Sequence, residues 1–248
     1  MEATNPEKTV SVTDVTHAQR TTSVMPEHRS TNYTALRNIV SETFSSYEAD
    51  CWSALFTGLQ ESGDSLGFKD APAGKGQHHA YKGGLVVHLL EMIEMAPEVI
   101  KLVNATCTKT VCSRVSQSEY EADSLYALTF EDVLRVVLLH DLHKAHNTFY
   151  EKPDGSLDYI RNNESDMMSA NAQSLALSSS FGLNYASRLS VMNALESSEG
   201  GWAKVHPRFC TPLAKVCYLL DELSANVVAK QVEGNVHPKA VGRSIYLW

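Results

Sequence analysis

Val133-Leu134-Arg135-Val136-Val137-Leu138-Leu139-His140-Asp141-Leu142-His143-Lys144 is an apolar stretch that ends in a His-Asp pair. The Val and Leu side chains before the pair imply a helix carried into the interior. A solvated Asp or His needs no explanation, but an Asp on a core helix must be paired or bound to a metal. Imidazole and carboxylate side by side are a ready metal-binding combination. Thr129-Phe130-Glu131-Asp132, just upstream, reads as a capping box that starts this helix.

The neighbouring segments supply further helices. Leu36, Ile39, Val40, Phe44 and Tyr47 are at helical spacing and predict one helix from Thr34 to Leu59. Gly63 to Gly76 is a Gly/Pro/Ser-rich connection. A second helix starts after Gly83-Gly84, carries Leu85, Val86, His88, Leu89, Met92 and Ile93, and is expected to end or kink at Pro97. Downstream, Thr148–Glu151, a Pro153-Asp154-Gly155 turn and Leu157–Ile160 read as a β-hairpin. Helices at about 164–181 and 184–196 are separated by Gly182, a natural residue just past a helix end. The last helix opens with Thr211 as cap and Pro212 in its first turn, and holds Asp221 among Leu213, Val216, Cys217, Leu219, Leu220 and Leu223. Residues 1–32 are rich in Ser, Thr, Glu and Pro without periodic apolar residues, and are expected to be a disordered tail. The expected fold class is all-α, a single helical domain over 33–248 with one small β-hairpin.

Composition narrows the function classes. The 248 residues suffice for a sizeable core, and the formal net charge is −8 with no basic block. That disfavours broad binding to nucleic acid, which relies on neutralising phosphates. No apolar run approaches the ~18 residues of a membrane span, so no membrane partner is expected. The N-terminus lacks an apolar signal core. The five cysteines (Cys51, Cys107, Cys112, Cys210, Cys217) are odd in number, form no C-x-x-C pair and read as reduced thiols of a cytoplasmic protein.

Three core helices thus hold polar groups that need partners: His88, the His140-Asp141 pair, and Asp221. A lone core His is usually satisfied by a hydrogen bond, and a lone Asp by a cap or an ion pair. Three helices each donating such a group point to a shared site. Two imidazoles and two carboxylates suit one divalent ion, such as Mn, Mg, Co, Fe or Zn.

The order His…His-Asp…Asp resembles the HD-domain superfamily of metal-dependent phosphohydrolases. The segment His78-His79-Ala80-Tyr81-Lys82-Gly83-Gly84-Leu85-Val86-Val87-His88 is similar to the His-His…Gly-Leu…His signature of the YhaM-type branch of bacterial 3′–5′ exonucleases, and His140-Asp141-Leu142-His143-Lys144 to its His-Asp-x-x-Lys. The similarity spans roughly residues 70–230. It implies an HD-type helical bundle in which His88, His140, Asp141 and Asp221 are the metal ligands. Lys144 is expected one turn beyond His140 on the same face, either neutralising a phosphate or as a solvated lysine at a helix end. The chain departs from that branch where further histidines are usual. It reads Ser165-Asp166-Met167-Met168-Ser169-Ala170 and Leu195-Glu196-Ser197-Ser198-Glu199-Gly200-Gly201-Trp202 instead. The departures imply a single ion and count against exonuclease activity, as does the lack of the oligonucleotide-binding domain often found before the HD region.

Other residues carry paired readings. His78, His79 and Lys82 either meet a substrate phosphate or lie in a solvated loop. Trp202 either stacks on a base or packs in the core. Glu196 either supplies an acid–base group or is simply solvated, and His143 and His146 read as polar helix-face residues. Gly74-Lys75-Gly76 fails the spacing of a phosphate-binding P-loop. The expected activity is hydrolysis of phosphate esters or anhydrides of small nucleotides. The alternatives are a 3′–5′ exonuclease on single-stranded RNA or DNA, and a non-catalytic nucleotide-binding or interaction module. The oligomeric state stays open.

Overall fold

A computed structural model of the chain describes residues 26–59, 65–74, 78–111, 128–146, 148–160, 168–197 and 210–228. Seven α-helices and one two-stranded antiparallel sheet make up the described residues. In chain order they are α1 (Pro26–Thr43), α2 (Ser46–Gly58), α3 (Gly84–Val111), α4 (Phe130–His140), β1 (Phe149–Glu151), β2 (Leu157–Tyr159), α5 (Ala170–Ser180), α6 (Leu189–Ser197) and α7 (Pro212–Leu223). A 3₁₀ turn over Leu142–Ala145 follows α4, and a wider π-type turn over Ser224–Val228 follows α7. No described helix is long and apolar enough to cross a membrane. Cys51, Cys210 and Cys217 are unbridged, while the side chains of Cys107 and Cys112 lie outside the described residues.

α4 is the axis of the fold. It packs against α3, α5, α6 and α7, and every residue from Val133 to His140 is buried. A helix apolar on all sides has its lowest free energy when surrounded, which explains why Val and Leu fill every position of that stretch before the final His140 except one. Thr129 caps its start by accepting the Asp132 amide at 3.2 Å, as the capping-box reading required.

The exception is Arg135, buried at 5 % exposure in the middle of the apolar run. A buried guanidinium is tolerated only when paired. Glu48 of α2 meets it with two oxygens, at 2.8 and 2.9 Å, and Asp132 adds a contact at 2.7 Å. The Tyr185 hydroxyl donates to Glu48 at 2.6 Å and accepts from Trp52 Nε1 at 3.0 Å. This network bolts α2, α4 and the loop before α6 together on the side of α4 away from its His-Asp end.

Several boundaries differ from the sequence expectation. The first helix begins at Pro26, not Thr34, so residues 26–32, expected within the tail 1–32, are helical. Residues 26–32 are helical because Arg29 reaches Asp70 at 3.2 Å and Tyr33 packs edge-on to Phe56. Residues 1–25 lie outside the described residues. The single helix expected over 34–59 is two, broken where Ser45 caps α2. The break turns Phe44 onto the Trp52 ring, 6.5 Å away. Of the two outcomes expected at Pro97, an end or a kink, the end does not occur: α3 runs through to Val111, because its buried face continues across the proline with Met92, Ile93, Ala96 and Ile100. The helix expected from 184 starts only at Leu189, since Tyr185 is drawn to Glu48. The hairpin, the Thr211-Pro212 start and the Gly182 stop (φ +87°) stand as expected.

Burial opposes ionisation of Glu48, but Arg135 and Tyr185 outweigh it and hold its carboxyl below the ordinary glutamate value of 4.5. A carboxyl held lower in the folded chain than in the unfolded one stabilises above that ordinary value, and the gain disappears as pH falls through the folded value. Glu48→Gln should therefore cost about 2 kcal/mol in urea unfolding at pH 7, and the gap to wild type should close on acidification. A gap that stays constant from pH 7 to pH 3 would show that the network is not electrostatic.

Candidate metal centre

Three helices deliver four side chains to one point. His88 sits in the second turn of α3, His140 is the last residue of α4, Asp141 caps that helix, and Asp221 lies in the last turn of α7. His88 Nε2 is 3.3 Å from His140 Nε2, 3.2 Å from Asp221 Oδ1 and 3.8 Å from Asp141 Oδ2. His140 Nε2 lies 3.5 Å from Asp141 Oδ2 and 4.0 Å from Asp221 Oδ1. His88, His140 and Asp141 are all buried, with ligand atoms within 4.8 Å of one another, and form a group that can hold a metal ion.

Proton accounting sharpens this geometry. His140 Nδ1 lies 2.8 Å from the Val137 carbonyl, which can only accept, so Nδ1 carries the proton. The Ser224 hydroxyl donates to the Glu91 carboxylate at 2.7 Å. Having spent its proton there, Ser224 must accept from His88 Nδ1 at 2.8 Å. Burial, partly opposed by Asp221, keeps His88 neutral. His88 Nε2 therefore points a bare electron pair at His140 Nε2 and at two carboxylates. A cation relieves that arrangement, and two nitrogens with two oxygens are the donor set of a borderline or hard divalent ion.

Asp141 is ionised in spite of its burial: burial works against ionisation, but the Lys144 ammonium holds the carboxyl well below the usual range.

Lys144 is not placed as the sequence suggested. α4 stops at His140 and tightens into the 3₁₀ turn, so Lys144 stands three residues after Asp141 and pairs with it, Nζ to Oδ2, at 2.5 Å. It is neither one helical turn beyond His140 nor a solvated end residue.

The remaining candidates divide clearly. The His78 ring centroid is 5.0 Å from that of His88, and burial, with His88 and Lys144 near, pushes its pKa down to about 3. Its Nε2 is buried without a hydrogen-bond partner among the described residues. His79, with φ +48°, turns to Glu91 at 3.1 Å. His78, His79 and His88 also form a group with ligand atoms within 4.8 Å. Lys82 is drawn away to Glu151 on the hairpin at 3.0 Å, because the 65–84 loop is tied to β1 through Leu66 and Phe149. Glu196 sits near the end of α6 and makes no hydrogen bond or ion pair with the cluster among the described residues. Trp202 lies outside the described residues.

Sequence reading missed three groups. Glu91 and Ser224 each follow a ligand by three residues, which is the available signal. His143 is half-buried in the 3₁₀ turn, its Nδ1 atom buried and unpartnered among the described residues, and desolvation pushes its pKa down to about 4. It is not the polar helix-face residue expected.

Comparison of the chain with protein-family models, curated proteins and solved structures gives no match.

The His78-His79 loop reaches the centre only because Gly84 lets it. A Cβ at Gly84 would lie 2.0 Å from the His79 carbonyl oxygen, a backbone atom that cannot swing aside. Gly84→Ala should cost about 1–3 kcal/mol in urea unfolding, the usual range for forced overpacking. A variant as stable as wild type would show that the loop yields freely.

Proposed function

We propose that the chain is a metal-dependent phosphohydrolase of the HD-domain type, acting on the phosphate esters or anhydrides of small nucleotides. The observation that carries the reading is the convergence of His88, His140, Asp141 and Asp221 from three helices, with the bare His88 nitrogen facing two carboxylates. These four residues would hold one divalent ion, which supplies Lewis-acid chemistry toward a phosphoryl group. The resemblance of the His78–His88 and His140–Lys144 segments to HD phosphohydrolases supports the reaction class.

The chain's own residues set the rest. Lys144 keeps Asp141 ionised and adds positive charge beside the centre. With two carboxylates offsetting a divalent ion, that ammonium leaves the centre net positive and suited to a phosphate. His78 is held neutral by burial and its Nε2, without a partner among the described residues, lies beside His88, where in its N–H form it can donate to a phosphate oxygen. A net charge of −8 favours a small anionic substrate over a polymer whose many phosphates need many cations. The reading includes a cytoplasmic location, supported by unbridged Cys51, Cys210 and Cys217.

The test is turnover with Mn²⁺ or Mg²⁺ against a panel of nucleoside phosphates and an end-labelled oligonucleotide. Wild type should release product from nucleotides, and Asp141→Ala should lose both bound ion and turnover. Lys144→Ala should lower kcat by ~10²-fold, the scale of a lost preorganised charge. Shortening of the oligonucleotide from one end, with kcat/KM falling steeply as salt rises, would overturn the small-substrate reading in favour of an exonuclease. Bound nucleotide without turnover would instead indicate a non-catalytic module.

A further inference from the structure

Behind the metal centre runs a second line of buried polar contacts that the hydrolytic reading does not use. It starts in the loop before α3, where His79 Nε2 lies 3.1 Å from Glu91 Oε2. The same carboxylate oxygen accepts the Ser224 hydroxyl at 2.7 Å, and Ser224 in turn accepts His88 Nδ1–H at 2.8 Å. His79, His88 and Ser224 are buried, at 1 % exposure or less. The line crosses three separate parts of the chain: the loop, one helical turn of α3 from His88 to Glu91, and the π-type turn after Asp221.

We infer that Glu91, Ser224 and His79 are positioning residues for His88. They fix which of its nitrogens carries the proton and aim the other at the centre. This rests on the reading of His88 as a metal ligand. A neutral imidazole has two tautomers, and only the one protonated at Nδ1 offers a lone pair from Nε2. Without Ser224, Nδ1 would have no reason to hold the proton, and Nε2–H could donate to Asp221 at 3.2 Å. That tautomer satisfies the carboxylate and removes the ligand at once. The positioning chain therefore decides between a metal site and an ordinary His–Asp hydrogen bond built from the same residues.

The charge on Glu91 has a second effect. A carboxylate polarises the Ser224 hydroxyl, which polarises the imidazole and makes Nε2 a stronger donor. His79 offers Glu91 a partner inside the protein, and its φ of +48° against Gly84 shows the backbone bent to reach it. The same bend brings the adjacent His78 ring over His88. One residue of the loop thus braces the ligand, and the one before it lies beside the ligand's ring.

The test uses the full chain and Mn²⁺ alone. Titration calorimetry should show Mn²⁺ binding weakened about 10- to 100-fold by Ser224→Ala, the usual scale for losing a group that orients a metal-bound histidine. Ser224→Thr keeps the hydroxyl and should bind within a few-fold of wild type. Glu91→Gln keeps an acceptor but not the charge and should fall between them. Nitrogen-15 correlation spectra of the metal-free chain should place the His88 proton on Nδ1 in wild type and shift it toward Nε2 in Ser224→Ala. Wild-type affinity in Ser224→Ala, or a wild-type His88 protonated on Nε2, overturns the inference, and the second outcome decides it even if the variant does not fold. A wild-type chain that binds no Mn²⁺ overturns the metal reading instead, and the tautomer then decides the positioning chain alone.

Discussion

The fold is organised by the need to surround one helix completely. α4 has no solvent face over its last eight residues, so each polar group on it must be satisfied by a neighbouring element. There are two such places, and the chain treats them differently. Around Arg135 the accounts close within the protein: a forked pair with Glu48, a contact with Asp132, and Tyr185 and Trp52 completing the network. At His140 and Asp141 they do not close. Lys144 satisfies one carboxylate, yet the His88 and His140 nitrogens still face each other, and His88 brings no proton to the contact.

That contrast is the physical argument for function. A buried polar cluster that exists for stability is built like the Arg135 network, each donor matched to an acceptor. A cluster that withholds donors from converging acceptors destabilises the chain until something positive arrives. The tight passage between Gly84 and the His79 carbonyl, with His79 at positive φ, points the same way. Backbone held in a sparsely populated conformation beside a charged cluster is common at sites that must be preorganised.

What was legible in the sequence followed from local rules. Helical spacing and caps at Thr129, Gly182 and Thr211-Pro212 located α4, the end of α5 and the start of α7, because those signals act within one turn. The apolar surroundings of His88, His140, Asp141 and Asp221 marked them as unusual, and the structure brings all four together. What escaped depended on partners distant in sequence. Arg135 looks like a break in a hydrophobic run until Glu48, 87 positions away, is folded against it. The helical state of residues 26–32 depends on Asp70 and Phe56, and the late start of α6 on Glu48. Lys144 was misjudged for a different reason: a helix that ends one residue earlier, at a capping Asp, changes which side chain lies one turn away.

A common spacing underlies the centre. Glu91 follows His88 by three residues, Lys144 follows Asp141 by three, and Ser224 follows Asp221 by three. Residues three apart on a helix or 3₁₀ turn share a face, so each ligand-bearing element carries its own support alongside. The supports are not all local in effect, however. Ser224, one turn beyond Asp221, serves His88 on another helix, and Glu91 beside His88 receives Ser224. α3 and α7 are therefore joined twice, once through the ligands in front and once through the supports behind. Two parallel links of that kind resist rotation of either helix about its axis, which a single contact would permit. Fixing the angle between His88 and Asp221 in this way is what a centre assembled from separate helices requires, since no stretch of backbone common to both could set it.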